Sequence, residues 1–180
     1  MLFLGTEKYP EPGEYQSFIS RHGGSHNAYT AYENTNYFFE IQPDFLEPAL
    51  DRFSQQFVAP LFTADYVQRE KNAVHSEFTS GLRDDGRRFY SALKEVVNPR
   101  HPFSNFSVGN LETLADHEGR TIRDAMLEFY ERHYSANQMR LVIYGKEDLD
   151  TLERWAREKF SDIANHNGDK EPVEDRKSVV

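Results

Sequence analysis

The sequence has no cysteine, one tryptophan and three methionines, and no apolar run approaching the ~20 residues that a membrane-spanning helix needs. The missing thiols exclude disulfides, thiolate metal sites and cysteine nucleophiles. Without a long apolar run, no membrane partner is expected. Cations are also in deficit, with 21 Lys and Arg against 30 Asp and Glu, a formal charge of −9 and a pI near 5.3. Such a chain has no general attraction to phosphate backbones or anionic lipid, so nucleic acid is not an expected partner either. The opening Met1-Leu-Phe-Leu-Gly5 is apolar, yet shorter than a signal-peptide core and without a basic flank. It reads as the tail of an element that begins earlier.

What is present suffices for a core: 38% of the 180 residues are hydrophobic and 14% aromatic. Residues 14–21 carry apolar positions at helical spacing and stop at His22-Gly23-Gly24. From Ser25 to Gln42 the pattern shifts towards a period of two, interrupted at Glu33-Asn34, which predicts two antiparallel strands. Pro43-Asp44 opens a helix to about Phe57 with the stripe Phe45, Leu46, Ala49, Leu50, Phe53 and Phe57. Further helices are predicted over about 64–82, 87–97, 122–134 and 148–163, a long loop over 100–119 and a strand over Met139–Tyr144. Residues 1–164 then form one α+β unit, an antiparallel or mixed sheet covered by helices, and 165–180 a charged linker or tail.

The chemistry concentrates in the helix over 64–82. Its apolar stripe is expected through Tyr66, Val67, Ala73, Val74, Phe78 and Leu82, with Glu70 and Glu77 filling gaps in it. Seven residues are nearly two turns, so both carboxylates are expected on the buried side. A buried carboxylate requires a cation, strong donors or a metal. By pattern alone these two either pair with Arg or Lys of neighbouring elements, stand in solvent, or face a metal. His75, about 200° round the helix from Glu77, points elsewhere.

Five separated stretches narrow the choice: Met1-Leu-Phe-Leu-Gly-Thr-Glu-Lys-Tyr-Pro10; His22-Gly-Gly-Ser-His-Asn-Ala28 with Thr30; Arg69-Glu-Lys-Asn-Ala-Val-His-Ser-Glu77; His101-Pro-Phe-Ser with Phe106, Gly109 and Asn110; and Tyr134-Ser-Ala-Asn137. In collinear order over about residues 1–165 they resemble the N-terminal catalytic domain of the insulinase/pitrilysin family of zinc metallopeptidases. That family binds zinc through an inverted motif, His-x-x-Glu-His, whose glutamate is the general base, and through a later glutamate on another helix. The resemblance implies that Glu77 is that later ligand and that Glu70 supports it from behind. It also implies that Ser25 to Thr30 is an exposed edge strand pairing with substrate backbone, with Asn27, Ala28 and Tyr29 at substrate-binding positions and Phe3 beside Tyr29 as the wall of an apolar pocket.

In the family the Met-Leu-Phe-Leu-Gly run follows directly on the second histidine, and here it is residues 1–5. The expectation is therefore a piece cut just after the motif, with both histidine ligands and the general base upstream of Met1 and no activity by itself. None of the seven histidines completes His-x-x-Glu-His or its reverse. The expected activity of the whole enzyme is hydrolysis of peptides and small unfolded chains, with a C-terminal half as partner. A non-catalytic homologue that binds peptides or a partner chain is the competing expectation.

Overall fold

The computed structural model describes residues 2–32 and 34–169. In chain order these form α1 (Glu14–Arg21), β1 (Ser25–Thr30), β2 (Thr35–Glu40), α2 (Leu46–Val58), α3 (Ala64–Gly81), α4 (Asp85–Val96), α5 (Ile122–His133) and α6 (Leu149–Phe160), with 3₁₀ turns at Pro43–Phe45, Pro102–Ser104 and Ala136–Gln138. The fold is α+β, as the pattern predicts. Local chemistry sets the element ends. α1 stops where Gly23 takes a φ of 68°, which lets the Gly23 and Gly24 amides return to Ser20 and Ile19 carbonyls. At the start of α5, Thr121 and Asp124 form a reciprocal capping box, and Asp84 and Asp148 accept from the Arg87 and Thr151 amides to open α4 and α6.

β1 and β2 pair antiparallel in the register His26↔Phe39 and Ala28↔Tyr37. These four side chains are the half-buried ones of the hairpin, and the alternate positions are exposed. Under the hairpin lies a core built around α2. On one side Tyr15 and Ile19 of α1 meet Ala49 and Phe53, flanked by Phe3, Tyr37 and Phe39. On the other, Leu46 and Leu50 meet Leu152 and Trp155 of α6. The stripe predicted for α2 is the one that packs, because every third or fourth position of that helix faces one of these neighbours.

One predicted element is absent. Residues 139–145 form no ladder, Val142 is 89% and Tyr144 94% exposed, and Ile143 packs on the Leu46–Trp155 cluster. Alternating β-branched residues supply a strand's side-chain pattern, but a ladder also needs a neighbouring main chain, and among the described residues none lies alongside. The tail expected from residue 165 begins in an ordered way. Buried Ser135 accepts from the His166 amide at 2.9 Å, and the Ala136 amide donates to Ala164 O at 2.9 Å. From Lys170 onward the tail lies outside the described residues, as do Met1 of the opening run and Glu33 of the hairpin turn.

Ile19 is 0% exposed at the centre of the core whereas Phe89 on α4 is 70% exposed. Ile19→Ala is therefore expected to cost about 2–4 kcal/mol and Phe89→Ser less than about 0.5 kcal/mol, measured by urea unfolding. His26 sits edge-on to Phe3 and Tyr15, both at 5.3 Å, with Nδ1 buried and unpartnered. Burial lowers its pKa below the ordinary 6.5, so the folded chain binds fewer protons here than the unfolded one. That contribution to stability is complete above the unfolded value and is lost as pH falls through it towards the folded one. The melting temperature should fall between about pH 7 and pH 5, before carboxylates begin to protonate, and His26→Phe should flatten that fall.

Candidate functional site

α3 is held from one side by the loop between α4 and α5. Val67 and Lys71 are its buried side chains, and Val74 and Phe78 continue the same line at helical spacing. Phe78 meets Phe106 edge-on at 6.0 Å, and His75 Nδ1 accepts from the Leu111 amide at 3.4 Å. A Cβ at Gly109 would lie 2.6 Å from Leu114 Cδ1 and 3.0 Å from Val74 Cγ1, so the loop backbone runs close to α3 and a larger residue would have to displace those side chains. Asn110 Oδ1 then accepts from the Glu112 and Thr113 amides. The stretch His101-Pro-Phe-Ser is likewise structural, with His101 Nδ1 accepting from the Phe103 amide at 3.1 Å.

This packing corrects the predicted stripe. Lys71 is 8% exposed and reaches Asp116 at 3.9 Å, whereas Ala73 and Leu82 are exposed. Glu77 is exposed too, and Glu70 half-buried, so neither carboxylate is sunk in a closed core. The seven-residue spacing does place both on one side of the helix. That side is a flank rather than the packed face, because the loop, not the sheet, covers the apolar line. The flank opens onto a groove of about 650 Å³ shared with Leu2, Phe3 and residues Asn27 to Thr30 of β1.

All the residues expected at a substrate or metal site line this groove: Phe3, Asn27, Ala28, Tyr29, Glu70 and Glu77. Phe3 is at once wall and core, stacked on Tyr15 at 5.6 Å and edge-on to Tyr37 at 5.9 Å. Tyr29 is 55% exposed and its hydroxyl accepts from Asn36 Nδ2 at 3.3 Å. Asn27 Oδ1 accepts from the Ala28 amide at 2.8 Å. β1 is bonded to β2 alone, so among the described residues its other edge is free, as expected of an edge strand.

The opposite wall was not foreseen. Tyr130 of α5 and Tyr134, which follows its last residue, stack at 5.0 Å, Tyr134 shares a hydroxyl hydrogen bond with Tyr37, and Tyr130 donates to Phe57 O at 2.6 Å. Burial pushes the Tyr130 phenol up to about 12; burial and the bond to Tyr134 raise Tyr37 further still. These walls stay neutral at any physiological pH, which leaves Glu70 and Glu77 as the charged side chains lining the groove. Phe62, just before α3, takes a left-handed φ of 45°, with its carbonyl held by Arg123 Nε at 2.6 Å and its ring edge-on to Tyr130. Nothing in the local sequence signals that strain. Tyr134 did stand in a quoted motif, and its role became legible only beside Tyr37.

Glu77, an exposed carboxylate lining this groove, suits one arm of a metal site. Among the described residues no three His, Cys, Asp or Glu converge to complete one. No helix among them is long and apolar enough to cross a membrane.

The chain is similar to known proteins over most of its length. Residues 1–85 match the insulinase (Peptidase family M16) domain and residues 121–180 the Peptidase M16 inactive domain. The A-factor-processing enzyme of Saccharomyces cerevisiae is 49% identical over 176 residues, covering 96% of this chain and 17% of its own length. Insulin-degrading enzyme of Homo sapiens is 45% identical over 170 residues, 93% of this chain and 17% of its own. The crystal structure of pitrilysin superposes with a TM-score of 0.89 at 39% identity, over 96% of this chain and 18% of that one. The chain thus spans less than a fifth of the length of the curated relatives it matches. Built of Peptidase family M16 domains and homologous over most of its length to insulin-degrading enzyme, A-factor-processing enzyme and pitrilysin, this chain belongs to the insulinase family.

Proposed function

We propose that this chain carries the substrate groove and the carboxylate arm of the metal site of a zinc metalloendopeptidase. The observation that supports the reading is that Glu77 and the edge strand β1 face one groove of about 650 Å³. A peptide lying extended along the free edge of β1 adds a strand to the sheet, main chain to main chain, which tolerates many side chains. Asn27 donates through Nδ2 to a peptide carbonyl, the small Ala28 side chain lets the peptide approach and its amide exchanges the Asn27 Oδ1 bond for one to the peptide, and Phe3 with Tyr29 receives an apolar side chain beside the scissile bond.

Glu77 is the carboxylate ligand, and Glu70, two turns earlier on the same flank, supports it from behind. The imidazole ligands and the general base belong to a His-x-x-Glu-His segment outside this sequence, so residues 1–180 by themselves bind peptide without cleaving it. When bound, the zinc would activate water and polarise the scissile carbonyl. A C-terminal half of the enzyme, also outside this sequence, covers the open side of the groove.

Two measurements test the reading. Residues 1–180 alone are expected to hold zinc weakly, whereas the chain joined to a His-x-x-Glu-His helix should carry ~1 zinc by mass spectrometry of metals, a three-ligand catalytic site. In the joined protein Glu77→Gln should empty the site, and Glu70→Gln should weaken it by about 10–100-fold. Tight stoichiometric zinc in residues 1–180, or full occupancy in Glu77→Gln, would contradict the assignment. Separately, a fluorescein-labelled octapeptide of alternating Val and Lys should bind residues 1–180, read by anisotropy. The same peptide N-methylated at alternate residues should bind at least roughly tenfold more weakly, having lost its main-chain donors. Equal binding of both peptides would exclude strand addition.

A further inference from the structure

The strand proposed to receive the peptide extends beyond the core that supports it. His26, Ala28, Tyr37 and Phe39 anchor the base of the hairpin, but from Tyr29 to Asn36 its described residues are exposed. A two-stranded ribbon without further support is marginal in water. Within the tip, Thr30 and Thr35 share a hydroxyl bond and the Ala31 amide returns to Asn34 O, contacts that close the turn without fixing where it points.

One side chain reaches out from the turn. The Tyr32 and Tyr90 hydroxyls share a hydrogen bond at 2.9 Å, across 58 residues of sequence, and the Tyr32 ring lies 5.9 Å from Phe103. The receiving surface is itself assembled. Tyr90 of α4 meets Phe103 edge-on at 5.2 Å, and Lys94 Nζ stands 5.4 Å from the Tyr90 ring while donating to Asn105 O at 2.7 Å and Ser107 Oγ at 3.0 Å. This pins the loop after α4 to that helix, so the tip is tied to a surface with a defined position. Thr30 and Thr35, at the same end of the hairpin, line the groove that Glu77 also lines.

We infer that Tyr32, Tyr90 and Phe103 form a clasp that holds the hairpin tip in place, and that Tyr32 is thereby a positioning residue for peptide capture along β1. The inference rests on the peptide-groove reading above. None of the three touches the groove, and a swinging tip would move the free edge of β1 relative to Glu77 and add an ordering cost to each binding event.

The test uses residues 1–180 unsubstituted, as Tyr32→Ala and as Tyr32→Phe, with two readouts. Amide exchange over residues 27–37 should quicken roughly tenfold in Tyr32→Ala, the size expected for losing one aromatic contact and one exposed hydrogen bond, and about twofold in Tyr32→Phe, which keeps the ring. Exchange in α1 and α2 should not change. Affinity for the Val-Lys octapeptide should fall by a similar factor in Tyr32→Ala and largely recover in Tyr32→Phe. Unchanged exchange in Tyr32→Ala overturns the clasp. Quickened exchange with undiminished peptide affinity overturns the positioning role while leaving the groove reading intact. Failure of the unsubstituted chain to bind the octapeptide overturns the groove reading, and the positioning role with it.

Discussion

Tyr37 is the joint between the core and the groove. Its ring points inward from β2 against Phe3 and Phe57, and its hydroxyl meets that of Tyr134 at the end of α5. A phenol serves here where phenylalanine would not, because one end is apolar and the other requires a partner. Through the ring the hairpin is bound to α2 and to Phe3; through the hydroxyl it is bound to the residue that follows α5, and α5 in turn packs on α3. The distance between the edge strand and the carboxylate-bearing helix is therefore set by aromatic packing rather than by hydrogen-bonded sheet.

The electrostatics of the groove follow from the same arrangement. Buried phenols hold their protons, so those walls are uncharged, and Glu70 and Glu77 are the acidic side chains that line a partly apolar recess. Lys71 of the same helix is buried and reaches Asp116 at 3.9 Å. Glu77 is exposed on this flank, contrary to the burial expected from the helix spacing, so its carboxylate is not closed into an apolar core.

Much of this was legible along the chain. Helices α1, α2, α5 and α6 follow from apolar spacing, with a stop at Gly23 for α1, and the hairpin from alternation broken at Glu33-Asn34; the caps at Thr121 and Asp148 appear in the structure. The motif stretches bring Phe3, Asn27 and Glu77 to one groove although they are scattered over three elements. Two expectations failed for one reason: each needed to know what lies alongside. Met139–Tyr144 has a strand's pattern and no strand beside it among the described residues, and the stripe of α3 packs along Val67, Lys71, Val74 and Phe78, leaving Ala73 and Leu82 exposed.

What the sequence by itself determined is the set of local states and the membership of the chain: period, caps and turn residues act within a few positions, and collinear motifs survive without any knowledge of contacts. Only the tertiary structure decided that Glu70 and Glu77 lie on an open flank, that tyrosines from β2 and α5 close the far wall, and that Tyr32 reaches α4. Those facts depend on which residues meet across dozens of intervening positions. A helix repeats every 3.6 residues whatever surrounds it, but the face that becomes inside is chosen by its neighbours.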